Sequence, residues 1–159
     1  MSEFNFSDLV FEDQIFIDFE VADKKELIEK ISLFLETKGF VLPGYADQVL
    51  AREEEYPTGL PTNVMKVAIP HSIENDKIVK PSIVIARLKS PVEFNEMGSF
   101  ENKVMVDFVV LLAVKGDKSQ LVILPKLIGI FSDEPSMILL RDAKSSKMLY
   151  LVVKEMIAS

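Results

Sequence analysis

The stretch Val104–Val114, VMVDFVVLLAV, restricts the fold of this chain more than any other part of it. Its β-branched residues favour a strand, and its nearly continuous apolar character is typical of a strand buried on both faces. A strand with one face in water would alternate apolar and polar residues instead. We therefore expect this strand to be central, with other strands beside it and helices covering both faces.

The remaining elements are predicted from shorter patterns. Apolar and β-branched runs predict three more strands, at Gln14–Phe19, Lys66–Ile69 and Ser82–Leu88. Five helices are also expected. The first runs from the Asp23–Glu26 capping pair to Gly39, and the second from near Tyr45 to about Arg52. The third covers Leu124–Phe131 with Pro125 in its first turn, the fourth continues for a turn or two from Pro135, and the fifth begins near Ser145. No repeat or linker divides the chain, so we predict a single α/β domain over residues 1–159, with a mixed β-sheet flanked by helices on both faces.

The composition excludes several kinds of function. The 159 residues include no cysteine, so disulfides, thiolate catalysis and cysteine-rich zinc sites are excluded. A net charge of −7 without a basic cluster makes the chain a poor binder of nucleic acid. Because there is one histidine, any metal site would have to rest on carboxylates.

The sequence features of membrane and secreted proteins are also missing. The longest uninterrupted apolar run, Phe108–Val114, is far shorter than the ~20 residues that span a bilayer. The first residues, MSEFNFSDLV, place no basic residue ahead of an apolar stretch, whereas a secretory signal has one. We expect a cytoplasmic protein that does not insert into the membrane.

The segment Arg52–Ser72, REEEYPTGLPTNVMKVAIPHS, is the most informative part of the chain for function. Its short predicted strand ends at Pro70, which cannot donate to a strand ladder and tends to lift the chain out of the sheet. His71, the only histidine, follows at the carboxyl end of the strand, where open α/β sheets place their ligands. An imidazole is substantially neutral and nucleophilic near pH 7, so His71 is the best candidate for covalent chemistry.

These residues also have purely structural interpretations. A lone histidine is more often a surface or hydrogen-bonded core residue, and Arg52 alone is more often a solvated cation or an ion-pair partner. The run Glu53–Glu55 is most simply a solvated face. Three methionines, Met65, Met97 and Met105, are most simply core residues that fill gaps.

A family resemblance favours the functional interpretation. The string Ala68–His71, AIPH, preceded by Arg52–Glu53 and Pro57–Gly59, resembles the enzyme IIA domain of the mannitol/fructose type in bacterial phosphoenolpyruvate-dependent sugar phosphotransferase systems (PTS). The longer pattern REEEYPTGLPT…VAIPH looks most like the galactitol-specific branch. The order of predicted elements fits that family along nearly the whole chain, so the resemblance implies its fold as well.

The resemblance implies a phosphotransferase component that carries a phosphoryl group and needs no metal or organic cofactor. His71 matches the residue that accepts the group from the phosphohistidine of HPr, the histidine-containing phosphocarrier protein. It then passes the group to a cysteine of the cognate enzyme IIB, which serves the membrane component IIC. The sugar implied is galactitol or a related one. Arg52 matches a family arginine beside the active site.

Phosphoryl transfer gives these residues defined tasks. The transferred group spreads charge over three oxygens, to which Arg52 can offer two parallel donors that a lysine does not reproduce. The attacking nitrogen of His71 must be deprotonated, so the other ring nitrogen should donate to a fixed acceptor, for which a backbone carbonyl is suitable. Thr58 and Ser72 are candidate hydroxyl donors to the phosphoryl oxygens, or else turn-capping residues.

Two positions depart from the family pattern. The residue after the motif histidine, commonly glycine, is Ser72. Many mannitol- and fructose-type members carry a second histidine after the central strand, where this chain has Ser119 or Gln120 depending on alignment. Gln120 can hydrogen-bond an oxygen or a ring nitrogen but brings no positive charge. This disfavours a two-histidine mechanism and those two subtypes, and leaves Arg52 as the obvious nearby cation.

Two other functions would use the same fold. A regulatory interaction module would change its partner affinity with the phosphorylation state of His71 and transport no sugar. A degenerate domain would bind a partner without phosphorylation, which the intact AIPH motif and Arg52 disfavour. In a carrier, interfaces should be modest and short-lived, and we expect an apolar patch at the rim of the site from Leu60, Ile73 and Ile78, residues that would otherwise be ordinary core.

Overall fold

Four strands form one mixed sheet in the computed structural model, which describes residues 5–116 and 118–158. The strands of these residues are β1 (Val10–Phe19), β2 (Val67–Ala68), β3 (Ser82–Asn95) and β4 (Lys103–Ala113), in the spatial order β1–β3–β4–β2. The central pair β3 and β4 is antiparallel, while β1 runs parallel to β3 and β2 parallel to β4. The predicted mixed sheet is confirmed.

Strand β4 is central and buried on both faces, as its apolar run predicts. Phe108, Val110 and Leu112 belong to one hydrophobic cluster, and the alternate residues Val109 and Leu111 belong to the other. This division follows from the pleat, because successive side chains of a strand point to opposite faces of the sheet. The two clusters are the cores of the layers above and below the sheet.

The described helices cover both faces of the sheet. They are α1 (Lys24–Thr37), α2 (Tyr45–Glu55), α3 (Lys118–Phe131), α4 (Glu134–Asp142) and α5 (Ser146–Ala158), with a 3₁₀ turn at Phe6–Leu9. Helices α1 and α2 pack on one face, and α3, α4 and α5 on the other. The predicted cap of α1 is present, since Asp23 Oδ1 accepts the N–H of Glu26 at 2.8 Å. In the described residues, no helix is both long and apolar enough to cross a membrane.

Strand β1 begins at Val10, four residues earlier than predicted, and α3 and β3 also differ from their predictions. Pro125 lies in the middle of α3 and not in its first turn. Proline leaves the carbonyl four residues earlier without its helical donor, but Leu121 at that position is 75% exposed, so water can reach the carbonyl. Strand β3 continues well past Leu88, through residues 89–91 (KSP), because a bulge between Arg87 and Val92 absorbs the interruption.

Candidate active site around His71

His71 lies where the chain leaves the sheet after β2. The Pro70 carbonyl accepts the N–H of Leu112 in β4 at 3.0 Å, and His71 forms an isolated parallel bridge with Leu112. The histidine is 7% exposed, yet its side chain helps to line a surface pocket of about 540 Å³. The pocket is formed by the end of α2, the loop after it, the β3–β4 hairpin and α3.

A backbone carbonyl fixes the ring of His71. Its Nδ1 lies 2.7 Å from the carbonyl oxygen of Ile69. Because a carbonyl can only accept, the hydrogen must be on Nδ1, and Nε2 keeps its lone pair. Burial lowers the pKa of His71 below its ordinary value, and the positive charge of Arg52 lowers it further, against the hydrogen bond to Ile69. The ring is therefore neutral near pH 7, with Nε2 as its nucleophilic atom.

Arg52 lines the same pocket from the last turn of α2. Its guanidinium carbon lies 4.0 Å from the centroid of the Tyr56 ring, a cation–π contact that holds the side chain in place. Its Nε is buried without a hydrogen-bond partner, and no acidic side chain of the described residues forms an ion pair with it. These uncommitted donors suit an anion that enters the pocket.

Glu53 was predicted to be solvated, and this is wrong: it is 2% exposed. Its Oε2 accepts the backbone N–H of Thr58, and its Oε1 accepts the Thr58 hydroxyl, each at 2.8 Å. The Thr58 hydroxyl oxygen in turn accepts the N–H of Ile69 at 3.1 Å. Burial raises the pKa of Glu53 to about 7, against the two hydrogen bonds from Thr58. A hydrogen-bonded chain thus leads from Glu53 to the residue that holds the His71 ring.

The two predicted hydroxyl donors are engaged elsewhere. Thr58 lines the pocket, but in this arrangement its single hydroxyl proton is donated to Glu53, which leaves none for a phosphoryl oxygen. Ser72 does not line that pocket. Its hydroxyl oxygen accepts the N–H of Glu74 at 3.1 Å, which is the turn-capping alternative.

Gln120 is buried beside the His71 loop and does not line the pocket. Its Nε2 donates to the carbonyl of Ser72 at 2.6 Å and to the carbonyl of Val114 at 3.3 Å. Gln120 therefore joins the first turn of α3 to the backbone next to His71. Of the two alignment alternatives, Gln120 is the buried one, and Ser119 is half-buried.

The β3–β4 hairpin supplies a pocket wall that sequence reasoning missed. Met97 and Phe100 are exposed, Phe100 by 68%, and both line the pocket. The core interpretation is correct for the buried Met65 and wrong for Met97 and Met105. The turn residues around Gly98 predict a hairpin, but nothing local to them indicates that it lies against the histidine.

The predicted apolar rim has different members. Ile78 is core, Leu60 is half-buried against the core, and Ile73 is exposed but lines a neighbouring pocket. The exposed apolar side chains that line the His71 pocket are instead those of Tyr56, Met97, Phe100 and Ile128, which we call the apolar rim.

Gly59 explains why the Pro57–Gly59 segment lies so close to the hairpin. It donates its N–H to the Asn95 carbonyl at 3.0 Å and accepts the N–H of Met97 at 2.7 Å. A Cβ at this position would lie 2.6 Å from the Asn95 oxygen, so a side chain cannot be accommodated. Among the described residues, no group of three or more acidic or histidine side chains is placed to hold a metal ion.

Comparison with known proteins assigns a family to residues 8–156, whose matching model is described as "Phosphoenolpyruvate-dependent sugar phosphotransferase system, EIIA 2". The PTS system galactitol-specific EIIA component of Escherichia coli (strain K12) is 31% identical over 108 residues, 68% of this chain and 71% of that protein. The PTS system mannitol-specific EIICBA component of Pasteurella multocida is 36% identical over 87 residues, 54% of this chain and 14% of that protein. The transcriptional regulator ManR of Bacillus subtilis is 31% identical over 140 residues, 86% of this chain and 20% of that protein. This chain thus spans a small part of the last two relatives.

Two solved structures have a similar fold. One is the complex of enzyme IIA Mtl and phosphorylated enzyme IIB Mtl from Escherichia coli, with a TM-score of 0.70 and 25% identity over 92% of this chain and 94% of that chain. The other is the nitrogen regulatory protein IIA-Ntr from Neisseria meningitidis, with a TM-score of 0.74 and 24% identity over 92% of this chain and 97% of that chain. The mannitol-type fold that the resemblance implies is confirmed.

Proposed function

The chain belongs to the EIIA 2 family of the phosphoenolpyruvate-dependent sugar phosphotransferase system, and we propose that it is a cytoplasmic phosphocarrier whose His71 receives a phosphoryl group and passes it on. The donor is the phosphohistidine of HPr. The acceptor is a cysteine of the cognate enzyme IIB, which serves the membrane component IIC. Galactitol or a related sugar is proposed as the transported substrate, in keeping with the similarity to the galactitol-specific EIIA component.

The environment of His71 is the observation that carries this proposal. The Ile69 carbonyl holds the hydrogen on Nδ1, and burial keeps the ring neutral, so Nε2 is available as a nucleophile. Arg52 lines the same pocket with donors that no acidic side chain of the described residues occupies. A neutral nucleophile beside an uncommitted guanidinium suits a phosphoryl group, because such transfer depends mainly on positioning and charge stabilisation.

Both transfer steps balance without a further reactant. In the first step, the lone pair of His71 Nε2 forms a bond to phosphorus while the bond between phosphorus and the donor nitrogen breaks, and its electron pair stays on the donor ring. In the second step, a thiolate sulfur of enzyme IIB forms the new bond to phosphorus and the Nε2–P bond breaks. Arg52 would stabilise the charge on the phosphoryl oxygens in both steps.

Labelling with the PTS phosphoryl donors tests the proposal. Incubation with phosphoenolpyruvate, enzyme I and HPr should add one acid-labile phosphoryl group per chain, and His71→Gln should take up none. An exposed-site variant, Lys30→Gln, serves as the labelled control, since Lys30 lies on α1 away from the pocket. Label retained by His71→Gln, or a wild-type chain that takes up no label, would overturn the assignment.

A regulatory role is the second candidate, because the chain is also similar to a transcriptional regulator over most of its length. Such a module would be phosphorylated at His71 as well, so labelling by HPr does not separate the two functions. Transfer of the label onward does. Phosphorylation of a galactitol-type enzyme IIB by the labelled protein supports the carrier, and retention of the label in its presence supports the regulator.

A further inference from the structure

Glu53 is a buried acid that the proposed transfer chemistry does not use. Its sequence neighbours Glu54 and Glu55 are exposed, and no ion pair of the described residues includes Glu53. A carboxylate buried without a cation costs folding free energy. The burial of Glu53 therefore needs an explanation, and its hydrogen bonds provide one.

Both oxygens of Glu53 are hydrogen-bonded to Thr58. Oε2 accepts the backbone N–H and Oε1 accepts the hydroxyl, while the same hydroxyl oxygen accepts the N–H of Ile69. As long as Glu53 is ionised, the one hydroxyl proton of Thr58 is engaged by Glu53. Thr58 nevertheless lines the pocket that contains His71.

Protonation of Glu53 reverses one of these bonds. Oε2 faces an N–H donor and must stay an acceptor, so the proton has to bind Oε1, where it points at the Thr58 oxygen. That oxygen has two lone pairs and accepts from Glu53 and Ile69 together, and its own hydrogen then turns away from Glu53. The Glu53 O–H bond forms with a proton from solvent, and the Thr58 O–H bond is not broken.

We propose that Glu53 is a positioning residue that acts through Thr58: when Glu53 is protonated, the Thr58 hydroxyl donates to an oxygen of the phosphoryl group on His71. This inference rests on the proposed function of His71. The arriving phosphoryl group favours the competent state, because a second negative charge nearby makes a carboxylate bind its proton more tightly. Thr58 can then act as the hydroxyl donor that the sequence suggests, but only while Glu53 is protonated.

The surrounding charges set the pH range in which the effect is visible. Burial raises the pKa of Glu53 to about 7; Lys24 lowers it and Glu54 raises it. Burial and Arg52 lower the pKa of His71 from 6.5, so the ring stays neutral above that pH. Between pH 6.5 and 8, roughly from half a unit below to one unit above the Glu53 midpoint, Glu53 titrates while the nucleophile does not change its charge.

The first experiment is a titration of the unphosphorylated protein. We expect the side-chain carboxyl ¹³C signal of Glu53, assigned by its loss in Glu53→Gln, to titrate with a midpoint near 7. The measurement needs no phosphoryl donor, so its result is independent of the function proposed for His71. A midpoint near the ordinary glutamate value of 4.5 would contradict the inference.

The second experiment compares phosphorylation rates from pH 6.5 to 8 with phosphoramidate, a small donor that needs no docking surface. Glu53→Gln mimics the protonated acid permanently, since its amide donates to the Thr58 oxygen and accepts the Thr58 N–H. We expect the rate ratio of Glu53→Gln to wild type to rise from near one at pH 6.5 to about fivefold at pH 8, because one neutral hydrogen bond is worth about tenfold in rate. Donor ionisation cancels in this ratio.

Matched variants complete the comparison. Thr58→Val should lose about tenfold at pH 6.5 and abolish the effect of Glu53→Gln in the double variant, whereas Thr58→Ser should restore the wild-type profile. Glu29→Gln, which replaces an exposed acid on α1, should follow the wild type. If Thr58→Val does not fold, the phosphorylation rates of Thr58→Ser and Glu53→Gln as a function of pH still test the inference.

The outcomes separate this inference from the proposed function. A wild-type chain that is phosphorylated at His71 while the Glu53→Gln ratio stays flat overturns the role of Glu53 alone. A wild-type chain that is not phosphorylated at His71 by either donor overturns the proposed function and this inference with it. A rising ratio that is abolished in the Thr58→Val background supports both.

Discussion

Arg52 is held in the pocket by packing and not by an acidic partner. Its guanidinium lies against the Tyr56 ring, and its position in the last turn of α2 is favourable for a positive charge. The arrangement fixes the planar group in one orientation without using its donors. A guanidinium can then offer two parallel N–H groups to two oxygens of one phosphoryl group, whereas a lysine offers a single point charge.

Replacing Arg52 should therefore slow phosphoryl transfer more than it destabilises the fold. We expect Arg52→Ala to lower the single-turnover phosphorylation rate of His71 by about 10²–10³-fold, the usual cost of one preorganised charge contact. Arg52→Lys should recover only part of the loss. Thermal unfolding of each variant serves as the control for folding. A near-normal rate in Arg52→Ala would remove Arg52 from the mechanism.

The raised pKa of Glu53 also has a consequence for stability. Between pH 4.5 and about 7 the folded chain holds a proton on Glu53 that the unfolded chain has released. The folded state then binds more protons, so the free energy of unfolding falls as pH rises through this range, by about 3 kcal/mol for this residue. Below pH 4.5 both states are protonated and the effect vanishes.

Urea unfolding at several pH values measures this effect. The stability of Glu53→Gln relative to wild type should increase by about 3 kcal/mol from pH 4.5 to 8, since the amide does not ionise. Glu54→Gln, at an exposed position on the same helix, should show a much smaller trend, because the charge of Glu54 is only a minor cause of the raised pKa of Glu53. A constant difference between Glu53→Gln and wild type across this range would mean that Glu53 is ionised without penalty.

Residue-scale predictability differs sharply between His71 and Glu53. His71 can be singled out as a candidate because its signal is local: a short strand, a proline and a single histidine in succession. Glu53, Glu54 and Glu55 are chemically identical neighbours, and only the phase of α2 against the Thr58 loop buries the first of them. That phase depends on tertiary packing, which a run of three glutamates does not encode.

At the scale of elements, Gln120 joins α3 to the loop that carries His71. It bonds to the Ser72 and Val114 carbonyls, one on each side of the junction between the His71 loop and the segment after β4. The ring of His71 itself is held by Ile69. Gln120, one of the two residues that can align with the second family histidine, thus contacts the backbone beside the His71 loop.

Replacing Gln120 should accordingly destabilise the fold more than it slows phosphoryl transfer. Gln120→Ala leaves two buried carbonyls without their donor, so we expect the free energy of unfolding to fall by about 1–3 kcal/mol. The phosphorylation rate should fall by less than the Arg52→Ala loss, measured in parallel. A large loss of rate with unchanged stability would instead mean that Gln120 acts on the transferred group in place of the missing histidine.

The elements were predictable where periodicity is strong and not where tertiary structure overrides it. The central strand was identified because both of its faces are apolar over a long run. The rule that proline breaks helices predicts Pro125 at a helix start, but Leu121, whose carbonyl loses its helical donor, is an exposed residue, and a mid-helix proline is tolerable there. The close contact of Gly59 with Asn95 joins residues far apart in the chain, which no local pattern reports.

At the scale of the whole molecule, the sheet separates two cores, and the site lies where elements from both faces of the sheet meet. The pocket combines the end of α2, the hairpin between β3 and β4, and a face of α3 around the single histidine. The apolar rim defined above surrounds it. A carrier must present the same phosphoryl site to two protein partners in turn, so this rim is the surface that we expect both partners to contact.

Truncation of one rim residue should weaken protein docking and leave the chemistry intact. We expect Phe100→Ala to raise the KM for phosphorylated HPr about tenfold, as loss of a well-packed aromatic anchor does, while phosphorylation by phosphoramidate is unchanged. Leu33→Ala is the matched control, because Leu33 is similarly exposed, by 62%, but lies on α1. Equal effects of the two substitutions on the KM would mean that partners approach His71 without contacting the hairpin. A fall in the phosphoramidate rate would instead mean that Phe100 shapes the pocket itself.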